Sequence, residues 1–264
     1  MSNTATPKIT IITATYYRPD LLARAIRSVQ ESTFKEYEHI IVSDHCPKAQ
    51  QVCDLFKEDK RIRCLEQEDP HIPNHGSRAH NLAIREAKSD LFCYLGDDNI
   101  VMPNHIELMY EELSGGEHDV VHTKTHEIRI GRGNDMIKKI LSRDFLHDLA
   151  PEDHVKQDLL YSDPRDVANL GHTREAYKAA GPWKLTHECP KGIEDTEFFT
   201  RLDKACAGRI LQVPVYTNVY YVRGSCFARD NTYHNAVRGL GEDEIFVHPE
   251  VLFDTRTIGR DILP

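Results

Sequence analysis

The sequence predicts an α/β domain, a mostly parallel sheet flanked by helices in the Rossmann manner. Three observations carry this. Short apolar, β-branched runs alternate with segments of helical apolar spacing over residues 8–113, the order that builds strand-helix-strand units with parallel strands. A chain of 264 residues can bury about three-quarters of the surface that its unfolded form exposes, so one large core needs no disulfide or metal support. With 40% hydrophobic and 28% charged residues, the composition is that of a globular protein and excludes a disordered or collagenous chain.

The first strand is expected over 8–14 (KITIITA), a β-branched run after Pro7. Leu21, Leu22, Ala25, Ile26 and Val29 then recur at helical spacing, with Pro19 suited to a first helical turn. The same unit repeats as strand 39–43 with helix 48–57, strand 62–66 with helix 77–88, and strand 91–95 with helix 103–113. After 120–130 the pattern blurs, and 131–165 is expected to be helix and loop over the sheet. Regular structure returns at 173–180, 194–205 and 210–222. The chain is therefore read as one domain over 1–223, followed by a C-terminal extension at 224–264.

Lys and Arg number 33 against 42 Asp and Glu, a formal charge of -9, and no basic stretch is dense enough to follow a nucleic-acid backbone. No run approaches the roughly 20 apolar residues that cross a bilayer, and 1–7 lacks the basic start and apolar core of a signal peptide. A cytoplasmic location is expected. The seven cysteines are scattered without a CxxC pair, as befits reduced thiols.

In such a sheet, ligands bind at the carboxyl ends of the strands, and acids cluster there. Asp44 follows the second strand, and Asp97 and Asp98 follow the fourth. The first strand-helix turn, Thr15-Tyr16-Tyr17-Arg18-Pro19, contains no glycine, and neither GxGxxG nor GxxxxGK[ST] occurs, so no backbone cradle for phosphate is present. Tyr16 could stack on a base and Asp44 accept from its N–H edge; equally, Tyr16 could pack and Asp44 cap a helix. Asp97-Asp98-Asn99 places two repelling carboxylates directly after an apolar strand, and a hard divalent cation would relieve that repulsion, whereas a solvated capping turn explains only part of the pattern. Glu194 and Asp195 open a helix whose buried face is Phe198, Phe199 and Leu202; a carboxylate there is favoured by the helix dipole and suits either a cap or a general base.

Together these segments resemble an inverting family 2 glycosyltransferase of the GT-A fold. Residues 9–18 (ITIITATYYR) resemble that family's opening strand and turn, and Val42-Ser43-Asp44 its second-strand aspartate. Asn81-Leu82-Ala83-Ile84 is similar to its RNxGI helix, and 94–103 to its DxD region. Gly181-Pro182-Trp183 is similar to the GGW turn before its ED helix. The resemblance spans 8–205 in the family's order and implies a nucleotide-binding half at 8–102 and an acceptor half at 103–223. It implies that Ala14, Thr15, Tyr16 and Asp44 contact the base and ribose, that Asp97 lies near the ribose, that Asp98 holds Mn2+ or Mg2+, and that Asp195 is the base. Gly96 stands where many members have the first acid of DxD. His80 replaces the usual arginine before Asn81, leaving Arg78, on another face of the helix, as the basic candidate for the diphosphate.

The activity implied is transfer of a sugar, with inversion, from a nucleotide diphosphate sugar, a UDP-sugar above all, to a hydroxyl of a glycan, a lipid-linked sugar or another acceptor. Nucleotidyl transfer would use the same pocket but wants a glycine-rich basic loop near the N-terminus, which is missing. A non-catalytic nucleotide-sugar binder would have less reason to keep Asp44, Asp98 and Asp195 together. His71, His75 and His80 precede or open a helix but match no common zinc spacing.

Overall fold

The computed structural model of the chain describes residues 6–16, 19–45, 48–68, 76–130, 166–189 and 194–223. It runs β1 (Ile9–Thr15), α1 (Pro19–Gln30), β2 (Tyr37–Ser43), α2 (Ala49–Asp54), β3 (Ile62–Glu66), α3 (Ser77–Glu86) and β4 (Leu91–Tyr94). Next come β5 (Ile100–Val101), α4 (His105–Ser114) and β6 (Val120–Ile130). A short 3-10 turn (Val167–Asn169) leads into β7 (Leu170–Thr173) and α5 (Arg174–Ala180). A second 3-10 turn (Thr186–Glu188), α6 (Glu194–Ala205) and β8 (Ile210–Arg223) follow. The helix and loop expected over 131–165 and the extension at 224–264 lie outside the described residues.

The eight strands form one sheet in the order β3-β2-β1-β4-β7-β6-β8-β5. β3, β2, β1 and β4 are parallel, as the alternating pattern predicts. Beyond β4 the sheet is mixed: β7 is antiparallel to β4 and β6, β8 is parallel to β6, and β5 is antiparallel to β8. β5 and β7, at 2 and 4 residues, are too short to display a period and went unforeseen. The helix expected over 48–57 is shorter, ending at Asp54, because the chain turns immediately beyond it.

Both faces of the central strands are covered, which is why they read as continuous apolar runs rather than alternating ones. Ile12, Ile40, Val42, Phe92 and Tyr94 pack under α3, α5 and α6. Their neighbours Ile9, Ile11, Cys93 and Leu95 pack against α1 and α4, and Ile41 against α1 and α2. The described cysteines Cys53, Cys64, Cys93, Cys189 and Cys206 carry free thiols, as expected of reduced residues. Among the described residues no helix is long and apolar enough to cross a membrane.

A side chain on α3 ties that helix to the turn after α5. Asn81 on α3 donates from Nδ2 to the Trp183 carbonyl at 2.9 Å, while its Oδ1 accepts from the Trp183 N–H at 3.0 Å and the Tyr177 hydroxyl at 2.8 Å. Each bond contributes about 0.5–1.5 kcal/mol net, but a partner left buried and unpaired costs about 1–3 kcal/mol, so the geometry is strongly specified. Trp183, 4% exposed, stacks on Phe198 with centroids 4.0 Å apart and donates from Nε1 to the Tyr94 hydroxyl at 3.1 Å. Tyr94 also meets His172 Nε2 at 2.6 Å.

The core encloses several imidazoles. Burial lowers His39 and His80 to about 3 and His105 and His172 to about 4. Unfolded imidazoles titrate near 6.5, so above that pH neither state gains a proton; between about 6.5 and about 4 the unfolded chain takes up protons that the folded chain refuses. Stability is therefore present in full above about 6.5 and lost as pH falls. Asp166 acts with the opposite sign and offsets one of the four. We expect the thermal midpoint to hold between pH 8 and 7, to decline from pH 6.5 to 5, and to decline less in His39→Gln. A midpoint flat to pH 5 would contradict this.

Candidate active site

The carboxyl ends of β2, β1 and β4 lie side by side at one edge of the sheet. Asp44, just past β2, donates from its backbone N–H to the Thr15 carbonyl at 2.9 Å, so β1 and β2 end in register. Its Oδ1 accepts from Gln67 Nε2 at 3.0 Å. Gln67 is itself set by its backbone N–H to the Ser43 carbonyl at 2.9 Å. Asp44 does not cap α2: the N-cap there is Lys48, without a side-chain cap bond. Ala14 and Tyr16 are half-buried at the strand end, whereas Thr15 is buried with its hydroxyl unpartnered, leaving its backbone as the part involved in the strand-end contact.

The acidic loop after β4 is braced from two sides. Asp97 is 1% exposed, and its Oδ2 accepts a long bond, 3.4 Å, from the Tyr16 N–H. Asp98 is half-buried, and its backbone carbonyl accepts from Arg24 Nη2 at 2.6 Å. Of the two acids it is thus Asp98 that reaches solvent. Arg24, 2% exposed, rises from the apolar stripe of α1. At Gly96 an added Cβ would lie 2.9 Å from Asn99 Nδ2 and 3.0 Å from Asp98 Oδ1, so the bare Cα is what lets both side chains fold over it.

α3 closes one wall. Gly76, with φ at +93°, precedes it, and a Cβ there would lie 2.9 Å from the Ala14 Cβ. Only glycine satisfies both the left-handed backbone and that approach. Arg78 is half-buried in the first turn of α3, next to this contact. His80, at the position of the expected arginine, points instead into the aromatic cluster, 4.7 Å from Trp183 and 5.1 Å from Tyr94 between ring centroids. Burial keeps it neutral, so it brings no positive charge to a diphosphate. His71 and His75 lie outside the described residues.

α6 supplies the opposite wall. Arg201 donates to the carbonyls of Ala180, Gly181 and Pro182, and also to Glu197, which pairs with Lys184 at 2.7 Å. Burial pushes the Glu197 carboxyl up, but these hydrogen bonds and charges outweigh it and hold the group below its usual range. This lattice fixes the helix relative to the Trp183 turn. Glu194 is buried and accepts from the Thr186 hydroxyl, whereas Asp195 is half-buried. Asp195 Oδ1 accepts from the Thr196 N–H at 2.7 Å, and among the described residues its Oδ2 accepts no hydrogen bond.

Arg24, Gln67 and Asp166 were not foreseen. A lone arginine inside an apolar helical stripe is a legible signal for the first; nothing in the sequence marks the other two. Asp166 precedes the 3-10 turn before β7, and its Oδ1 accepts from the Ala168 N–H at 3.1 Å. The residue is half-buried as a whole, but its Oδ2 is closed to solvent and has no hydrogen-bond partner. The carboxyl is pushed up to about 7, first by burial and then by the charges of Asp98 and Asp195. The predicted metal ligand and the predicted base therefore act on one carboxyl. Among the described residues no group of three or more His, Cys, Asp or Glu is arranged to hold a metal ion, so a cation here would depend on fewer protein ligands.

A family model described as Glycosyl transferase family 2 matches residues 10–164, more than half the chain. The chain is 32% identical over 117 residues to YwdF of Bacillus subtilis, named an uncharacterized glycosyltransferase, a match covering 44% of this chain and 41% of that protein. The matches span from 16% to 41% of the length of such curated relatives. Among solved structures, TarS 1-349 of S. aureus in complex with UDP-GlcNAc superposes with a TM-score of 0.61 at 14% identity, over 84% of this chain and 61% of that one. The mannosyltransferase PcManGT from Pyrobaculum calidifontis, in complex with GDP-Man and Mn2+, gives 0.56 at 14% identity, over 94% and 70%. At such identity the likeness is one of fold, and it agrees with the mixed α/β domain described above. The motifs, the sheet and the family match converge: the chain belongs to glycosyl transferase family 2.

Proposed function

We propose that the chain transfers a sugar from a nucleotide diphosphate sugar, with a UDP-sugar as the favoured donor, to an acceptor hydroxyl, with inversion. The observation that supports this reading is that Asp98, the candidate ligand for a hard cation, and Asp195, the candidate base, both act on the one carboxyl of Asp166, as neighbours in one site would. Structural neighbours that hold UDP-GlcNAc, or GDP-Man with Mn2+, support the donor class.

Asp44, steadied by Gln67, is positioned to accept from the base, and the end of β1 supplies Ala14 and Tyr16 beside it. Asp97 ties this strand end to the acidic loop from beneath the cleft. Arg24 holds the backbone of Asp98, so that its carboxylate is presented at fixed height. Arg78 is the cation of α3 nearest the donor side. The donor set fits Mn2+ or Mg2+: carboxylate oxygens, one of them orphaned and buried, with room for phosphate oxygens in the rest of the shell. Asp98 would hold the ion, which when bound supplies Lewis-acid stabilisation of the leaving diphosphate. Asp195 Oδ2 takes the proton of the acceptor hydroxyl as it attacks the anomeric carbon, and no covalent intermediate is needed. Glu194, already engaged by Thr186, is the poorer base.

Incubation of the protein with UDP-sugars and Mn2+ tests the class: UDP release supports glycosyl transfer, pyrophosphate release would show nucleotidyl transfer, and neither would leave a binder. Asp98→Ala should abolish the Mn2+-dependent part of UDP binding by calorimetry; unchanged affinity with Mn2+ would refute its metal role. Asp44→Ala and Gln67→Leu should both weaken UDP binding while its dependence on Mn2+ persists, and wild-type affinity in both would reduce Asp44 to a structural residue. Asp195→Asn should cut turnover by about 10²–10⁴-fold with donor affinity nearly unchanged. If affinity falls as far as turnover, Asp195 binds the donor rather than acting as base.

A further inference from the structure

We infer that Asp166 is a second protein ligand of the metal at this site, supplying from the strand beside β4 the carboxylate that Gly96 does not provide. The inference rests on the metal reading proposed above and adds to it a residue outside the sequence motifs.

Three observations support it. The first is register. β4 and β7 are antiparallel, with Leu91 opposite Thr173, Phe92 opposite His172 and Cys93 opposite Gly171. Both acids lie beyond the last bridged pair at that end of the ladder, Asp98 after β4 and Asp166 before β7. Both chains leave the ladder into tight turns there, the Asn99 N–H closing on the Gly96 carbonyl at 3.1 Å and the Asn169 N–H on the Asp166 carbonyl at 3.1 Å, so both acids sit at the same end of adjoining strands. The second is the division of labour within the carboxyl. Oδ1 caps the turn, while Oδ2 is shut away from water without a donor, which a capping role alone does not account for. The third is charge. Asp98 and Asp195 both bear on the Asp166 carboxyl, and both of these charges push it up. A divalent ion between Asp98 and Asp166 would satisfy the orphan oxygen and relieve the repulsion among the acids. Two carboxylates completed by diphosphate oxygens and water is an ordinary shell for Mg2+ or Mn2+.

The test is Mn2+ titration, with and without UDP, followed by the EPR signal of the free ion, on the wild-type chain and on Asp166→Asn, Asp166→Ala and Asp98→Ala. Asn keeps an oxygen to cap the Ala168 N–H, so the turn is retained, and circular dichroism checks the fold of each variant. We expect Asp166→Asn to weaken Mn2+ binding by at least about tenfold, Asp166→Ala by as much or more, and both to leave UDP affinity in EDTA unchanged. Wild-type Mn2+ affinity in both Asp166 variants, with Asp98→Ala still defective, would overturn this inference and leave the proposed function standing. Absence of Mn2+ binding by the wild-type chain with UDP would overturn the metal reading and this inference together.

Discussion

The constraint on which the rest depends is that the central strands are buried on both faces. With helices above and below β1, β2 and β4, a polar group on a strand has no route to solvent except past the strand's end. Thr10, Thr13 and His39 within the strands show the alternative: they are buried and bond one another or buried acids, as in Thr13 with His39 Nε2 at 2.9 Å and Thr10 with Glu38 Oε1 at 2.9 Å. Polar groups of these strands that reach solvent are thereby confined to the strand ends, where Asp44 and Asp98 stand just past β2 and β4, and Asp98 and Asp195 both act on Asp166.

A gathering of acids is unfavourable by itself, and the surrounding structure shows how it is tolerated. Arg24 and Gln67 are drawn from the fold's interior to the loops that carry Asp98 and Asp44, and the Arg201–Glu197–Lys184 group holds the helix that begins beside Asp195. None of these polar supports belongs to the acids' own loops. Rigidity at the edge is imported from the residue that follows β3 and from α1 and α6, helices whose apolar residues are committed to the core.

The legible part of this design follows from period and punctuation. The first four strands and the helices α1 to α4 were readable because their apolar spacing is long enough to declare itself, and Asp44, Asp98 and Asp195 because each stands at the end of such a segment. What failed to show was contact between distant segments. β5 and β7 are too short for a period, Gln67 looks like any polar residue after a strand, and the meaning of Asp166 comes only from which strand lies beside β4. His80 was legible as a departure but not in its consequence, since only the packing of Tyr94 and Trp183 shows that it turns inward and stays neutral.

The bare Cα of Gly96 bears on how such a site can change over evolutionary time. A first acid at this position is not a simple addition, because its Cβ would claim space that Asn99 Nδ2 and Asp98 Oδ1 already fill. Two loop designs, one with paired acids in sequence and one with a folded-back Asp98, thus differ in where the ends of the Asp98 and Asn99 side chains lie. A lineage that adopted the second would be free to recruit its remaining carboxylate from elsewhere on the sheet, and a step back to the first would ask those two flexible side chains to swing aside.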